Sequence, residues 1–172
     1  AQNYWNHLTS PPVLGKDVLL ETRALDSYHN ILYSLTLFWN TFGAWPTRLT
    51  IVSHAFKKPR IVDGHCVAIG FPLNRVTYIG IDPPSMAPGG EKRDVMMASG
   101  VTLAKGEWED DPHGRGSSLA GKRKKRNPWR VWQGIFEKGV EANKSGLITT
   151  GNDADEQLDF DAIRPWVGNS TS

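Results

Sequence analysis

Three short apolar runs, separated by stretches with helical spacing, constrain the fold of this chain most strongly. The runs lie at residues 17–21, 49–52 and 76–81, and polar residues follow each of them. Between the first two runs, apolar side chains recur at helical spacing over residues 31–42. Strands that alternate with helices are typical of parallel sheets built from βαβ units. The pattern therefore predicts an α/β fold with a mainly parallel sheet of about three strands.

Local signals predict where the helices begin. Asp26 or Ser27 can cap the first helix, because either side chain can accept a hydrogen bond from a free backbone N–H group. Weaker helical patterns follow at residues 59–69 and 92–109, and Pro128 suits the first turn of a last helix. The helices thus lie between and after the predicted strands.

Composition divides the chain into a domain at residues 1–141 and a tail at residues 142–172. Of the 172 residues, 39% are hydrophobic and 22% are charged, which is typical of a globular protein. Beyond the boundary, apolar residues become sparse and Gly, Asn, Asp and Ser dominate. We therefore expect a largely disordered tail, with Phe160, Ile163 and Trp166 as a weak docking segment.

The composition also narrows the location of the protein. No apolar run approaches the roughly 20 residues of a membrane-spanning helix, and the N-terminus lacks the pattern of a signal peptide. The single Cys66 cannot form an internal disulfide, which suits a reducing compartment. We expect a cytoplasmic protein, with the nucleus as the alternative, that does not act at a membrane.

Polar and basic residues after the predicted strands indicate a site for an anion. Ligands of open α/β sheets bind at the carboxyl ends of the strands. Lys57 and Arg60 lie three residues apart at a predicted helix start, where the helix dipole disfavours cations. An anion close to this pair would offset that cost, and it could be a bound ligand or the carboxylate of Glu21.

The predicted ligand-binding residues share one property, which is a position at a strand end or a helix start. They are Glu21, Ser27, Asn30, Ser53, Lys57, Arg60 and Asp82. His54 is the best candidate for proton transfer, because the pKa of an unperturbed imidazole is close to neutrality. No complete catalytic constellation accompanies it, so the sequence leaves open whether the protein is an enzyme.

Two segments carry a resemblance to a known family. Residues 26–30 (DSYHN) and 52–60 (VSHAFKKPR), together with Glu21, resemble the YdcF/SanA/ElyC-like domain of unknown function. That family typically shows a strand-end Glu, a Ser-x-x-Thr-x-Glu-Asn helix start and a Val-Thr-Ser-x-Tyr-His-x-x-Arg turn. Here Glu21, Asn30, Val52 and Arg60 agree with the pattern, whereas Ala24, His29, His54 and Lys57 depart from it.

The resemblance implies a divergent, eukaryotic-type member that lacks the N-terminal half of the family. It further implies a partial Rossmann-like three-layer sandwich, and it makes S-adenosylmethionine one candidate cofactor. A sheet without its other half would expose apolar surface, so we expect a partner or self-association to cover it.

A basic segment near the end of the domain offers a second functional reading. Five consecutive cations, followed by Trp129, Arg130 and Trp132, could contact phosphates and stack on bases. These cations are Lys122, Arg123, Lys124, Lys125 and Arg126. The net charge of +2 is small and no recognised nucleic-acid fold surrounds the segment, so nucleic acid is the less favoured partner.

Overall fold

The computed structural model describes residues 18–84 and 102–167, with side chains from residue 106 onward in the second range. In chain order its helices and strands are α1 (Ser27–Phe42), β1 (Leu49–Ser53), a π-helix (Pro59–Cys66) continued by the helical turn α2 (Val67–Ile69), β2 (Val76–Gly80), α3 (Thr102–Asp110), α4 (Ser117–Arg126), β3 (Thr149–Thr150) and β4 (Gln157–Leu158). The mixed α/β class is thereby confirmed. None of the described helices has the length and apolarity needed to cross a membrane.

Helix α1 forms the centre of the core, and its two ends are set by local sequence. Asp26 Oδ1 accepts a hydrogen bond from the backbone N–H of His29 at 2.8 Å, which caps the start of the helix. Gly43 ends the helix in the left-handed conformation at φ 66°, where glycine has no steric penalty. Leu32 and Leu35 lie on its fully buried face. The predicted start of this helix and the helical spacing over residues 31–42 are confirmed.

Strands β1 and β2 pair in parallel, in register from Leu49 with Val76 to Ser53 with Gly80. The chain passes from one strand to the other through the π-helix and α2. This crossover places the first turn of the π-helix just beyond the carboxyl end of β1. The predicted second and third strands are therefore present and parallel.

The first predicted strand is wrong for the part of it that the structure describes. Residues 18–21 form no strand, and Val18, Leu19 and Leu20 are exposed. An extended apolar segment becomes a strand only when its backbone groups pair with a neighbour, and β1 and β2 pair with each other. The described part of the chain thus has a parallel sheet of two strands instead of about three.

Several apolar side chains of the sheet are uncovered. Val52 on β1, Ile79 on β2 and the following Ile81 are all exposed. Parallel sheets are ordinarily covered on both faces, so this surface is unusual for its class. That a partner or a second copy covers it stays a prediction.

Residues 142–167 pack on the core, which differs from the expected disordered tail. The Trp166 side chain is 1% exposed, its indole N–H donates to the carbonyl oxygen of Gly70 at 2.9 Å, and its ring lies 4.9 Å from that of Trp45. Phe160 and Ile163, expected to dock beside it, are exposed. Leu147 and Leu158 are buried in the same core. A few large apolar side chains thus hold this segment in place, although its average composition is polar.

The expected helix from Pro128 is also wrong. Helix α4 ends at Arg126, and residues 127–136 form no helix. The N–H groups of Arg130 and Val131 bond locally to Asn127. Further along, the N–H of Gln133 donates to Asp153 Oδ1 at 2.8 Å, and the N–H of Ile135 donates to Glu156 Oε2 at 2.7 Å. These partners lie twenty or more residues away, so the helical pattern was overridden by tertiary contacts.

Candidate anion-binding site

A cavity of about 360 Å³, the cation-lined cavity, lies where the first turns of α1 and the π-helix meet α3 and α4. Its charged lining residues are the cations Lys57, Arg60, Lys122 and Arg126 and the carboxylates Asp26 and Glu107. Ser27 and Asn30 add a hydroxyl and an amide. Four of the predicted ligand-binding residues, Ser27, Asn30, Lys57 and Arg60, are thus brought together.

The two carboxylates of the cavity already have cationic partners. Glu107 pairs with Lys122 at 2.5 Å. Asp26 pairs with Arg123 at 3.2 Å and with the imidazole of His29 at 2.9 Å. The carboxylates are therefore not available to neutralise the remaining cations.

Burial raises the pKa of Asp26, but hydrogen bonds from His29 and the charges of His29 and Arg123 outweigh burial and lower it to about 2. Asp26 is therefore ionised at neutral pH. Since the same carboxylate caps α1 and binds α4 through Arg123, its role is to hold two walls of the cavity together.

Three cations of the lining have no carboxylate partner in the described part of the chain. They are Lys57, Arg60 and Arg126, of which Arg126 donates from Nη1 to the carbonyl oxygen of Leu25 at 2.8 Å. Glu21, the possible internal partner of Lys57 and Arg60, instead accepts the backbone N–H groups of Arg23 and Ala24 at 2.7 and 2.9 Å. The site is thus left with a surplus of positive charge.

Arg60 is the cation whose position is most costly. Its Nε is buried and has no hydrogen-bond partner among the described residues. Burial lowers the pKa of its guanidinium, which still stays charged because arginine starts far above neutrality. A buried cationic donor without an acceptor is unfavourable, and an anion in the cavity would supply the acceptor.

Ser27 is held by a histidine that sequence reasoning missed. Its Oγ lies 2.8 Å from Nε2 of His65, a fully buried residue of the π-helix. Burial and then the charge of Arg60 lower the pKa of His65 to about 3, so the imidazole is neutral. Such a weak base activates a hydroxyl little, and the contact instead orients Ser27. The two residues are 38 positions apart, so no motif spacing could have revealed the pair.

The other predicted site residues do not line this cavity. Asp82 Oδ1 accepts the backbone N–H of Ala55 at 2.9 Å and lies 3.7 Å from Nδ1 of His54. His54 Nδ1 is also 3.2 Å from the carbonyl oxygen of Ile81. The N–H of Ile81 donates to the carbonyl oxygen of Ser53 at 2.8 Å. These groups join the ends of β1 and β2 to each other. Catalysis by His54 stays a prediction.

Some side chains of the basic segment at residues 122–126 line the cavity, and others are exposed to solvent. Lys122 and Arg126 line the cavity, and Arg123 binds Asp26 beside it. Lys124 and Lys125 are exposed. Part of the charge that suggested nucleic acid therefore belongs to the candidate anion site.

The acidic segment at residues 110–113 leaves the end of α3 in a turn. Among residues 18–84 and 102–167, no group of three potential ligands is placed to hold a metal ion. The Asp111 carboxylate accepts the backbone N–H groups of Arg115 and Gly116 at 2.8 and 2.6 Å, which makes it a turn-forming residue.

Comparison with known proteins finds one distant relative of this mixed α/β chain. It is 27% identical over 159 residues to the uncharacterized protein YOR238W of Saccharomyces cerevisiae, covering 88% of this chain and 52% of the yeast protein. The chain thus spans about half the length of that relative. No family model matches the chain, and no solved structure matches it.

Proposed function

We propose that this protein binds an anionic, phosphate-bearing small molecule in the cation-lined cavity. The observation that carries the proposal is the Arg60 guanidinium, whose buried Nε lacks an acceptor among the described residues. Lys57 and Arg126 lie in the same lining without carboxylate partners. Phosphate suits such a group of donors, because guanidinium bonds to phosphate are charge-assisted and geometrically specific.

The remaining lining groups are consistent with that ligand. The Ser27 hydroxyl and the Asn30 amide can donate to phosphate oxygens. The first turn of α1 does not bind the anion by its free N–H groups alone, since Asp26 occupies that of His29. Side chains, more than the helix dipole, would therefore hold the phosphate.

The family resemblance suggests a wider setting for this site. The order of α1, β1, the π-helix and β2 agrees with one half of a Rossmann-like sandwich, which we propose as the parent architecture. S-adenosylmethionine is a candidate from the resemblance alone. Its sulfonium is a cation, so the surplus positive charge of the cavity favours a phosphate compound over it.

Thermal unfolding and calorimetric titration with inorganic phosphate, pyrophosphate, adenosine nucleotides and S-adenosylmethionine test the proposal. At least one phosphate compound should stabilise the protein, since binding to the folded state alone raises its stability. Arg60→Met should weaken that binding by about 30-fold, the loss of a charge-assisted hydrogen bond worth about 2 kcal/mol. Arg48→Met, at an exposed arginine outside the cavity, is the matched control. Equal binding by the two variants would overturn the proposal.

The alternative function is binding of nucleic acid or another partner by the basic aromatic segment 122–132. One observation favours it: the Trp129 side chain is 85% exposed, close in sequence to the exposed Lys124 and Lys125. Affinity for an oligonucleotide that falls steeply with salt, and that is lost in Trp129→Ala with Lys124 and Lys125 neutralised, would support this alternative. The cavity variant Arg60→Met should not affect such binding.

A further inference from the structure

A second cavity, the apolar groove, adjoins the cation-lined cavity and has a volume of about 550 Å³. Pro59, Val67 and Ala68 give it apolar walls along the π-helix and α2. Arg60 and Trp108 line both cavities, so the two meet at these side chains. A molecule whose anionic end contacts Arg60 would therefore have room to continue into the groove.

Cations outnumber carboxylates in the lining of the cation-lined cavity, whereas carboxylates outnumber cations in the lining of the groove. The groove is lined by the carboxylates of Asp63 and Glu109, and Arg60 at the shared boundary is its one cation among the described lining residues. His113 also lines the groove, and burial and then the charge of Arg115 lower the pKa of its imidazole. Asp63 thus disfavours an anionic group in the groove, whereas the cation-lined cavity favours one. The arrangement specifies an orientation for a ligand with one anionic and one uncharged end.

The groove has features that suit a ring. Its Trp108 wall is part of an aromatic group in which the rings of Tyr28 and His65 lie 6.0 and 4.5 Å from that of Trp108. The Val67 side chain is 53% exposed at the groove, which leaves apolar surface for a ligand to bury. Burial of an aromatic group against such walls contributes both apolar area and ring contacts.

We propose that the ligand is a phosphate monoester that carries an uncharged aromatic group. Its phosphate binds in the cation-lined cavity beside Arg60, and its ring system lies in the apolar groove against Trp108 and Val67. This inference rests on the proposed function and adds the chemical class of the ligand.

Two phosphate monoesters of equal charge separate the contributions of the cavities. Binding of methyl phosphate and of 1-naphthyl phosphate is measured by calorimetry in the unaltered protein, in Val67→Glu and in Val167→Glu. Val67 and Val167 are exposed to a similar degree, 53% and 50%, but Val167 does not line the groove, so it is the matched control.

We expect 1-naphthyl phosphate to bind at least about tenfold more tightly than methyl phosphate, because it buries additional apolar area. Val67→Glu should reduce that ratio to within about twofold, because a charged side chain replaces apolar surface, and Val167→Glu should leave the ratio unchanged. Equal affinities in the unaltered protein, or a ratio insensitive to Val67→Glu, would overturn the inference but not the proposed function. Failure of both compounds, of inorganic phosphate, of pyrophosphate and of the adenosine nucleotides to bind would overturn both.

Discussion

The cation-lined cavity and the carboxyl end of the two-stranded sheet contain similar residue types but differ in how their polar groups are satisfied. At the sheet end, Asp82 accepts the N–H of Ala55, and Tyr78 donates its hydroxyl to the carbonyl oxygen of His54 at 2.6 Å. In the cavity, Lys57 and Arg60 have no carboxylate partner among the described residues. Polar residues at the sheet end thus stabilise the fold, whereas Lys57 and Arg60 in the cavity can contact an anionic ligand.

This difference separates a structural polar cluster from a binding site. Buried polar groups in folded proteins are nearly always paired, so an unpaired one marks either a cost of folding or a place where a ligand can bind. The position of a residue at a strand end in the sequence does not tell a structural polar cluster from a binding site. Four measurements can do so, and they are ordered from the largest expected change in free energy to the smallest.

Acid should lower the free energy of unfolding through His65, which lies beside the cavity and contacts Ser27. The unfolded chain binds a proton at this imidazole below the ordinary pKa of 6.5, whereas the folded chain does so only near 3. This stability is complete above pH 6.5 and is lost as the pH falls towards 3, by about 2 kcal/mol at pH 5. Urea unfolding at pH 7.5 and pH 5 measures the loss. His65→Gln should remove this contribution and leave only the smaller one of His113, whose pKa is also lowered, while His54→Gln, at the sheet end, should retain it. A pH dependence unchanged by His65→Gln would contradict this account.

Asp82→Ala should destabilise the fold without weakening ligand binding. The substitution leaves the N–H of Ala55 without its carboxylate acceptor, at a cost of about 1 to 2 kcal/mol. Chemical unfolding gives the stability change, and titration with the phosphate compound found to bind gives the affinity. Weakened binding with unchanged stability would place Asp82 in the site and remove the distinction between the two regions.

Lys57→Gln should weaken ligand binding without destabilising the fold. Loss of one cation at the cavity should weaken binding of the phosphate compound by about fivefold, or about 1 kcal/mol, because a charged donor is removed. The free energy of unfolding should change by less than about 0.5 kcal/mol, since no ion pair is broken. Titration with the phosphate compound measures the affinity, and chemical unfolding measures the stability. Destabilisation with unchanged affinity would make Lys57 a structural residue.

Two neighbouring cations of α4 allow the smallest and most local test. Arg126 lines the cavity and Lys125 is exposed outside it. Arg126→Gln should weaken phosphate binding by about threefold, or about 0.6 kcal/mol, as expected for a solvated cation near an anion. Lys125→Gln should have no effect at moderate salt, where distant charges are screened. Equal effects of both would indicate general electrostatic attraction instead of a defined site.

Much of the first half of the fold follows from local chemistry. Asp26 and Gly43 bound α1 because a capping carboxylate and a left-handed glycine act within one turn of the helix. The parallel strands β1 and β2 were also predicted, since short apolar runs separated by a crossover leave few alternatives. The predicted strand at residues 17–21 was wrong over its described residues because a strand also depends on its neighbours.

The candidate site was predicted in part. Ser27, Asn30, Lys57 and Arg60 were identified by their places at helix starts, and the structure brings all four to one cavity. His65 and Trp108 were missed, because nothing in their local sequence distinguishes them from ordinary core residues. Their roles come from contacts with residues far away in the chain, such as Ser27 and Tyr28.

The sequence by itself determined the mixed α/β class, the bounds of α1 and the supply of cations for an anion site. These properties depend on periodicity, caps and charge, which act over a few residues. Only the tertiary structure decided that Lys122 and Arg126 of α4 join Lys57 and Arg60, and that Trp166 secures the C-terminal segment. Burial and pairing depend on what surrounds a residue in space, and it is the unpaired Arg60 Nε in such surroundings that makes the cavity a candidate site.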